Sequence, residues 1–232
     1  MRRKHALIAG GLVTCLTALL VGAYLLLTHQ PAFYRDALHS PLPVSERQQL
    51  AREFVRAAVE LRNEVVNEDR WMQEFTDAGT NAWLTDDLPA QYSEWLPPGV
   101  SEPRVQFNKD QLQFAFRTRR GAWSGVISGK LRVWVSNPNE LAFEIQSLNA
   151  GMIPIPVDDA MSDFVNEMNA AGWRVEWRSS RGGDALVLSL DQHGAAESED
   201  DRPVVESIEL LPGKVKVFGG RRQEVIARSE RK

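Results

Sequence analysis

The chain predicts an α+β fold, and three runs of residues carry that prediction. Leu50, Phe54, Ala57, Ala58, Leu61 and Val65 recur at helical spacing, which marks one amphipathic helix from Glu46 to about Asn67. From Pro103 to Gln146 the period changes to two, the pattern of antiparallel strands with one apolar face. Ahead of both lies an uncharged apolar run, Ala6 to Thr28. As a helix it would extend about 35 Å, enough to cross a hydrocarbon core of about 30 Å.

Taken in order, Arg2, Arg3 and Lys4 flank the apolar run and favour a cytoplasmic amino end. The run is longer than the hydrophobic part of a cleaved signal, and Tyr24-Leu25-Leu26-Leu27 continues it past the small residues of Val21-Gly22-Ala23, so an uncleaved signal-anchor is expected. The predicted organisation is a cytoplasmic stub (1–5), a transmembrane helix (6–28), an irregular exit linker (29–44), an extracytoplasmic α+β domain (45–218) and a basic, disordered tail (219–232). The expected location is the cell membrane, crossed once, with the bulk of the chain outside the cytoplasm.

Within the domain, Ser45-Glu46-Arg47-Gln48 reads as a capping box for the long helix. Thr76-Asp77 caps a second, shorter helix, and a third piece over Ala90–Leu96 stops at Pro97-Pro98-Gly99. Val105 and Phe107 open the strands, and Asn108-Lys109-Asp110 turns the chain. Leu112, Phe114 and Phe116 follow, then Leu131, Val133 and Val135, and after the Ser136–Asn139 turn Leu141, Phe143 and Ile145. Met161, Phe164, Val165 and Met168 mark a further helix closed by Gly172. Strands around Val175 and Leu188 and a hairpin at Pro212-Gly213 complete the chain. The long helix is expected to bury Leu50, Phe54, Leu61 and Val65 on the apolar face of the sheet.

Composition excludes several classes. The formal net charge is −4, with +3 in residues 1–28 and +3 in 219–232. The body between is strongly acidic, which leaves no electrostatic footprint for nucleic acid. Cys15 is the single cysteine, so no disulfide or cysteine-based metal site is expected. His5, His29, His39 and His193 do not fall at metal-ligand spacing, and no Gly-x-Ser-x-Gly elbow accompanies His193 and Asp191. The cluster Glu197, Glu199, Asp200 and Asp201 reads as a solvated loop. No cofactor, metal or catalytic group is predicted, and the reading is of a protein that is not an enzyme.

Seven tryptophans, at positions 71, 83, 95, 123, 134, 173 and 177, spread through the domain. Wide aromatic and branched side chains can line an apolar groove. Phe54, Leu61, Trp83, Phe114, Phe116, Phe143 and Ile153 are the candidate ligand-lining residues, and the same residues are candidates for an ordinary core.

Two short stretches carry a resemblance. Phe75-Thr76-Asp77-Ala78-Gly79-Thr80-Asn81-Ala82-Trp83-Leu84 resembles the "F-T-x-x-x-x-N-A-x-L" opening of the YpmS-like membrane-anchored bacterial proteins. Leu148-Asn149-Ala150-Gly151-Met152-Ile153-Pro154-Ile155-Pro156 resembles their "S-L-x-x-G-x-L-P-L-P" signature, with Ile153 where the family has Leu. The LmeA-like proteins are distantly similar in layout. The resemblance implies a tubular lipid-binding fold, with the long helix lying in a strongly curved sheet, and an extracytoplasmic, lipid-facing role. It supplies no catalytic residues.

The function expected on this reading is to bind or shield a lipid or another apolar envelope molecule. Each buried CH₂ of an acyl chain would contribute about 0.8 kcal/mol. The alternative is a non-enzymatic structural or adaptor protein of the cell envelope with a filled core. It would dock an envelope protein through the Gly151–Pro156 loop or the Trp83–Trp95 region.

Overall fold

The computed structural model describes residues 21–222, apart from 23, 40–41, 122, 171, 181–182 and 191–202. Helix α1 (Ala32–Leu38) leads into the 24-residue α2 (Val44–Asn67). Strand β1 (Arg70–Thr76), helix α3 (Asp77–Gln91) and a 3₁₀ turn (Ser93–Trp95) follow. Then come β2 (Val100–Asn108), β3 (Gln111–Arg120), β4 (Trp123–Asn137), β5 (Glu140–Ala150) and the two-residue β6 (Ile153–Pro154). Helix α4 (Val157–Ala170) precedes β7 (Arg174–Ser180), β8 (Gly183–Ser189), β9 (Pro203–Leu211) and β10 (Lys214–Arg221).

The strands form two antiparallel sheets. One has three strands in the order β1-β10-β9; the other has seven, in the order β2-β3-β4-β5-β8-β7 with β6 alongside β5. The hairpin turns of the larger sheet use Asp110 and Asn139 at positive φ, 57° and 62°, a conformation that short polar side chains tolerate. Those turns also join the sheets. Asp110 N–H donates to Leu210 O at 3.1 Å, and Asn139 N–H donates to Val205 O at 3.3 Å.

Three asparagines hold sheet edges in the same way. Asn81 of α3 donates to Val105 O at 2.8 Å and accepts from Val105 N at 2.9 Å, gripping edge strand β2. Asn169 of α4 grips Val175 of the opposite edge, β7, through two 3.1 Å bonds. Asn139 accepts from Val205 N at 2.9 Å and donates to Pro203 O at 3.1 Å on β9. A side-chain amide has the donor and acceptor of a peptide group, so each clamp satisfies an edge residue that would otherwise template another strand.

Helix α2 packs on α3 and β1. Gly79 faces α2 at the crossing: a Cβ there would be in ordinary contact with Leu50 O at 3.5 Å and the Phe54 Cβ at 3.6 Å. The helix starts at Val44 behind Pro43, without a side-chain cap, so Ser45 lies inside the first turn rather than closing a capping box. Thr76 does cap α3, its Oγ1 accepting from Gly79 N at 3.1 Å. Residues 32–38, expected to be irregular, are helical, and they place Tyr34 with 0 % exposure on Ala115 and Val126. Burial, with the negative charge of Glu102, pushes the Tyr34 phenol up to about 12. Gly219, Gly220 and Arg221, expected to belong to a disordered tail, form the end of β10.

Several expectations are corrected here. No helix among the described residues is long and apolar enough to cross a membrane. Of the expected span 6–28, residues 6–20 and 23 lie outside the described residues. The remainder is a short helical stretch tied to the domain, where Met152 N donates to Leu26 O at 2.8 Å. The transmembrane helix, the signal-anchor and the single-pass membrane location are therefore not carried forward. The tubular arrangement fails as well. The long helix rests on α3 and β1 rather than in the seven-stranded sheet, because β10 returns from the carboxyl end to pair with β1 and build a second sheet.

An ion pair ties the start of β5 to β7. Arg178 donates to both Glu140 carboxylate oxygens, at 2.7 and 3.3 Å, and Asn137 adds a bond of 2.6 Å. Arg178 and then Asn137 hold the Glu140 carboxyl down at about 2, from an ordinary value of 4.5. A carboxyl lowered by folding stabilises the fold above its unfolded pKa and loses that contribution as pH falls towards the folded value. The expected result is a decline in thermal midpoint between pH 4.5 and about 2 that is shallower in Glu140→Gln. Parallel curves for the two proteins would contradict this.

Candidate functional site

The most developed exposed constellation is aromatic and spans four elements. Phe75 of β1 lies 5.4 Å from Phe54 of α2, ring centre to ring centre, and Phe54 lies 5.4 Å from Trp83 of α3. Trp83 in turn meets Tyr92 at 5.9 Å and Trp95 at 6.4 Å, while Tyr92 and Trp95 are 4.6 Å apart. All five pairs are tilted, within the separation at which aromatic pairs attract one another. Trp95 is 63 % exposed.

Local structure puts the rings there. Tyr92 ends α3, its N–H donating to Leu88 O at 3.0 Å. The 3₁₀ turn then doubles back, with Trp95 N donating to Tyr92 O at 3.0 Å, which swings the Trp95 ring over Trp83 and Tyr92. Pro97 and Pro98 prevent the turn from continuing as helix. The segment is also electrostatically one-sided. Between Arg70 and Arg104 stand Glu74, Asp77, Asp86, Asp87, Glu94 and Glu102, with no Lys, Arg or His. Asp86 is held by Arg47 at 2.9 Å, Glu102 by Arg117 at 2.7 Å and Glu74 by Lys214 at 2.9 Å. Asp87 and exposed Glu94 have no ion pair among the described residues, and they flank the rings in sequence.

The residues singled out from sequence fall into separate groups. Phe54 and Trp83 are part of the aromatic cluster, and Leu61 lies two turns further along α2. Phe114 and Phe116 stack at 6.4 Å with an 11° interplanar angle on β3. Phe114 covers Gly129, where a Cβ would come 2.5 Å from its ring. Phe143 on β5 pairs in register with Val133 and Leu186, and Ile153 is 38 % exposed in β6. None of the seven lines any of three cavities, of about 350, 240 and 280 Å³, among the described residues. Each of these three is lined by charged or amide side chains, so none of them is an apolar tube that would support lipid binding. Tyr92, Trp95 and Phe75 were absent from the candidate lining; their signal in sequence was the acid-only stretch carrying three tryptophans.

The family-like motifs have structural duties. Asn81 clamps β2, Ala82 is buried and Thr76 caps α3. Gly151 takes φ +60°, and a Cβ on it would overlap Leu26 O.

The 240 Å³ cleft between α1, α3 and β2 holds Asp36, Arg47 and Asp77. Burial pushes the Asp77 carboxyl up, against a backbone bond from Ala78 that pulls it down. The nearby Thr85 hydroxyl donates to Asn81 O at 2.6 Å, so it is committed to the helix and offers no activated nucleophile. No group of three or more metal-ligating side chains occurs among the described residues. Asp191, His193 and the acidic cluster 197–201 lie outside them.

Compared with known proteins, the chain matches no family model, no curated protein and no solved structure. The likeness to the YpmS-like proteins therefore stands on its two motifs.

Proposed function

We propose that this chain is a non-enzymatic adaptor that docks a basic, proline-rich segment of a partner protein on the platform of Trp83, Tyr92 and Trp95. The observation that carries the reading is the position of Trp95, 63 % exposed yet held against two other rings. Tryptophan and tyrosine dominate the energetics of protein interfaces. Proline rings lie on such faces at low entropic cost, because a polyproline helix is already extended and ordered. The surrounding acids, with Asp87 and Glu94 uncommitted to ion pairs, select for Lys or Arg beside the prolines.

The test is a tryptophan-fluorescence titration with a synthetic peptide of alternating Pro-Pro and Leu steps ended by two Arg residues. The expected result is saturable binding that Trp95→Ala weakens about tenfold or more, with far-ultraviolet circular dichroism unchanged. An unsaturable response, or equal affinity for both proteins, would sink the reading.

A further inference from the structure

A second concave site lies on the face of the seven-stranded sheet that α1 packs against, beside the cluster of Tyr34, Ala115 and Val126. Register builds it. Gln113 of β3 pairs with Lys130 of β4, and Lys130 pairs with Ser147 of β5. One step along, Ser128 of β4 pairs with Asn149 of β5. Residues opposite one another in register share a sheet face, so these five polar side chains form two adjoining rows. They line a pocket of about 280 Å³. Phe33 and Pro31 form part of its wall, and His29 and Met152 close it where the amino-terminal segment crosses.

The five side chains are not tied up in ion pairs with other described residues. Ser128 is buried, at 7 % exposure. Two hydroxyls, two amides and one ammonium line one space. Lys130 is the one lining group with a permanent charge, and no carboxylate lines the pocket.

We propose that this pocket binds an anionic sugar, a monosaccharide bearing a carboxylate or a phosphate. The hydroxyl and amide rows match the alternating donors and acceptors of a sugar ring. Phe33 and Pro31 offer an apolar wall for its C–H face. Lys130 receives the acidic group, as a point charge suited to either anion. The volume is near the lower end for small-molecule sites, which are roughly 300 Å³ and upward, so it suits one ring.

The test is calorimetric titration of the whole chain with glucuronate, glucose 6-phosphate, glucose and inorganic phosphate as separate probes. At least one of the two anionic sugars is expected to bind, about tenfold or more tighter than glucose or inorganic phosphate. Lys130 is exposed, so Lys130→Met leaves the fold intact and is expected to lower that affinity about tenfold. Asn149→Asp, which brings a negative charge into the pocket, is expected to abolish binding. The two charged arms decide between carboxylate and phosphate. Failure of both anionic sugars to bind at about 10 mM overturns the proposal. So does binding no tighter than that of inorganic phosphate, or binding that Lys130→Met leaves unchanged.

Discussion

Gly219→Ala is expected to destabilise the protein by about 3 kcal/mol or more, because the added methyl must displace the Trp71 ring or the strand backbone. Gly219 sits at the irregularity in the β10–β9 pairing, where the register shifts after Phe218. A Cβ there would overlap the Trp71 ring on one side and Val204 O on the other. Trp71 is 7 % exposed and Val204 2 % exposed, so the methyl fits only if the packed ring or the strand backbone shifts. The ring covers a glycine that would otherwise leave the strand unpacked, a known way of securing such sites in sheets. Urea unfolding measures the effect. Trp71→Leu makes room on one side only, and the backbone oxygen of Val204 stays in place. The double variant should therefore remain less stable than Trp71→Leu alone. A Gly219→Ala protein within about 1 kcal/mol of the parent would contradict the packing described here.

Asn81→Ala is expected to cost about 2–3 kcal/mol. It strips both the donor and the acceptor from Val105, and an orphaned, partly buried backbone group costs about 1–3 kcal/mol. For a chain of this size that corresponds to a fall in thermal midpoint of about 5–10 °C. Asn81→Asp keeps the acceptor that takes Val105 N–H at 2.9 Å and loses the donor to Val105 O. It should fall between the parent and the alanine variant. Indifference to both changes would mean that water or the helix backbone replaces the clamp.

Much of the β-structure is legible in the sequence because its signals are local. The alternation at Leu112, Phe114 and Phe116, and at Leu131, Val133 and Val135, maps onto β3 and β4. The turn residues at 108–110 and 136–139 fall at hairpins. What escaped is what depends on distant partners. The stretch Arg70–Thr76 shows no clean alternation, and it becomes β1 because β10 pairs with it from the far end of the chain. The first half of β4, with Gly125, Ser128 and Gly129, has weak strand propensity. It is held by neighbours on both sides. The division into two sheets, which overturned the tubular arrangement, follows from those same long-range pairings.

The candidate site shows the same limit. Phe54 and Trp83 were visible as large residues on helices, but their meeting with Phe75, Tyr92 and Trp95 needs four elements to converge. The apolar run at the amino end was read from length and hydropathy alone. A hydrogen bond to Met152 and the positive φ of Gly151, both remote in sequence, decide how its last turn is held.

The docking surface proposed for this chain is formed by Trp83, Tyr92 and Trp95. The most direct measurement is ¹⁵N correlation NMR of the indole N–H groups during titration with the proline–arginine peptide. The seven tryptophans report separately, and the assignment follows from single Trp→Phe variants. Saturable shifts are expected at Trp83 and Trp95, with Trp134 and Trp177 unmoved. Shifts confined to Trp134 or Trp177, or none at any indole, would contradict it.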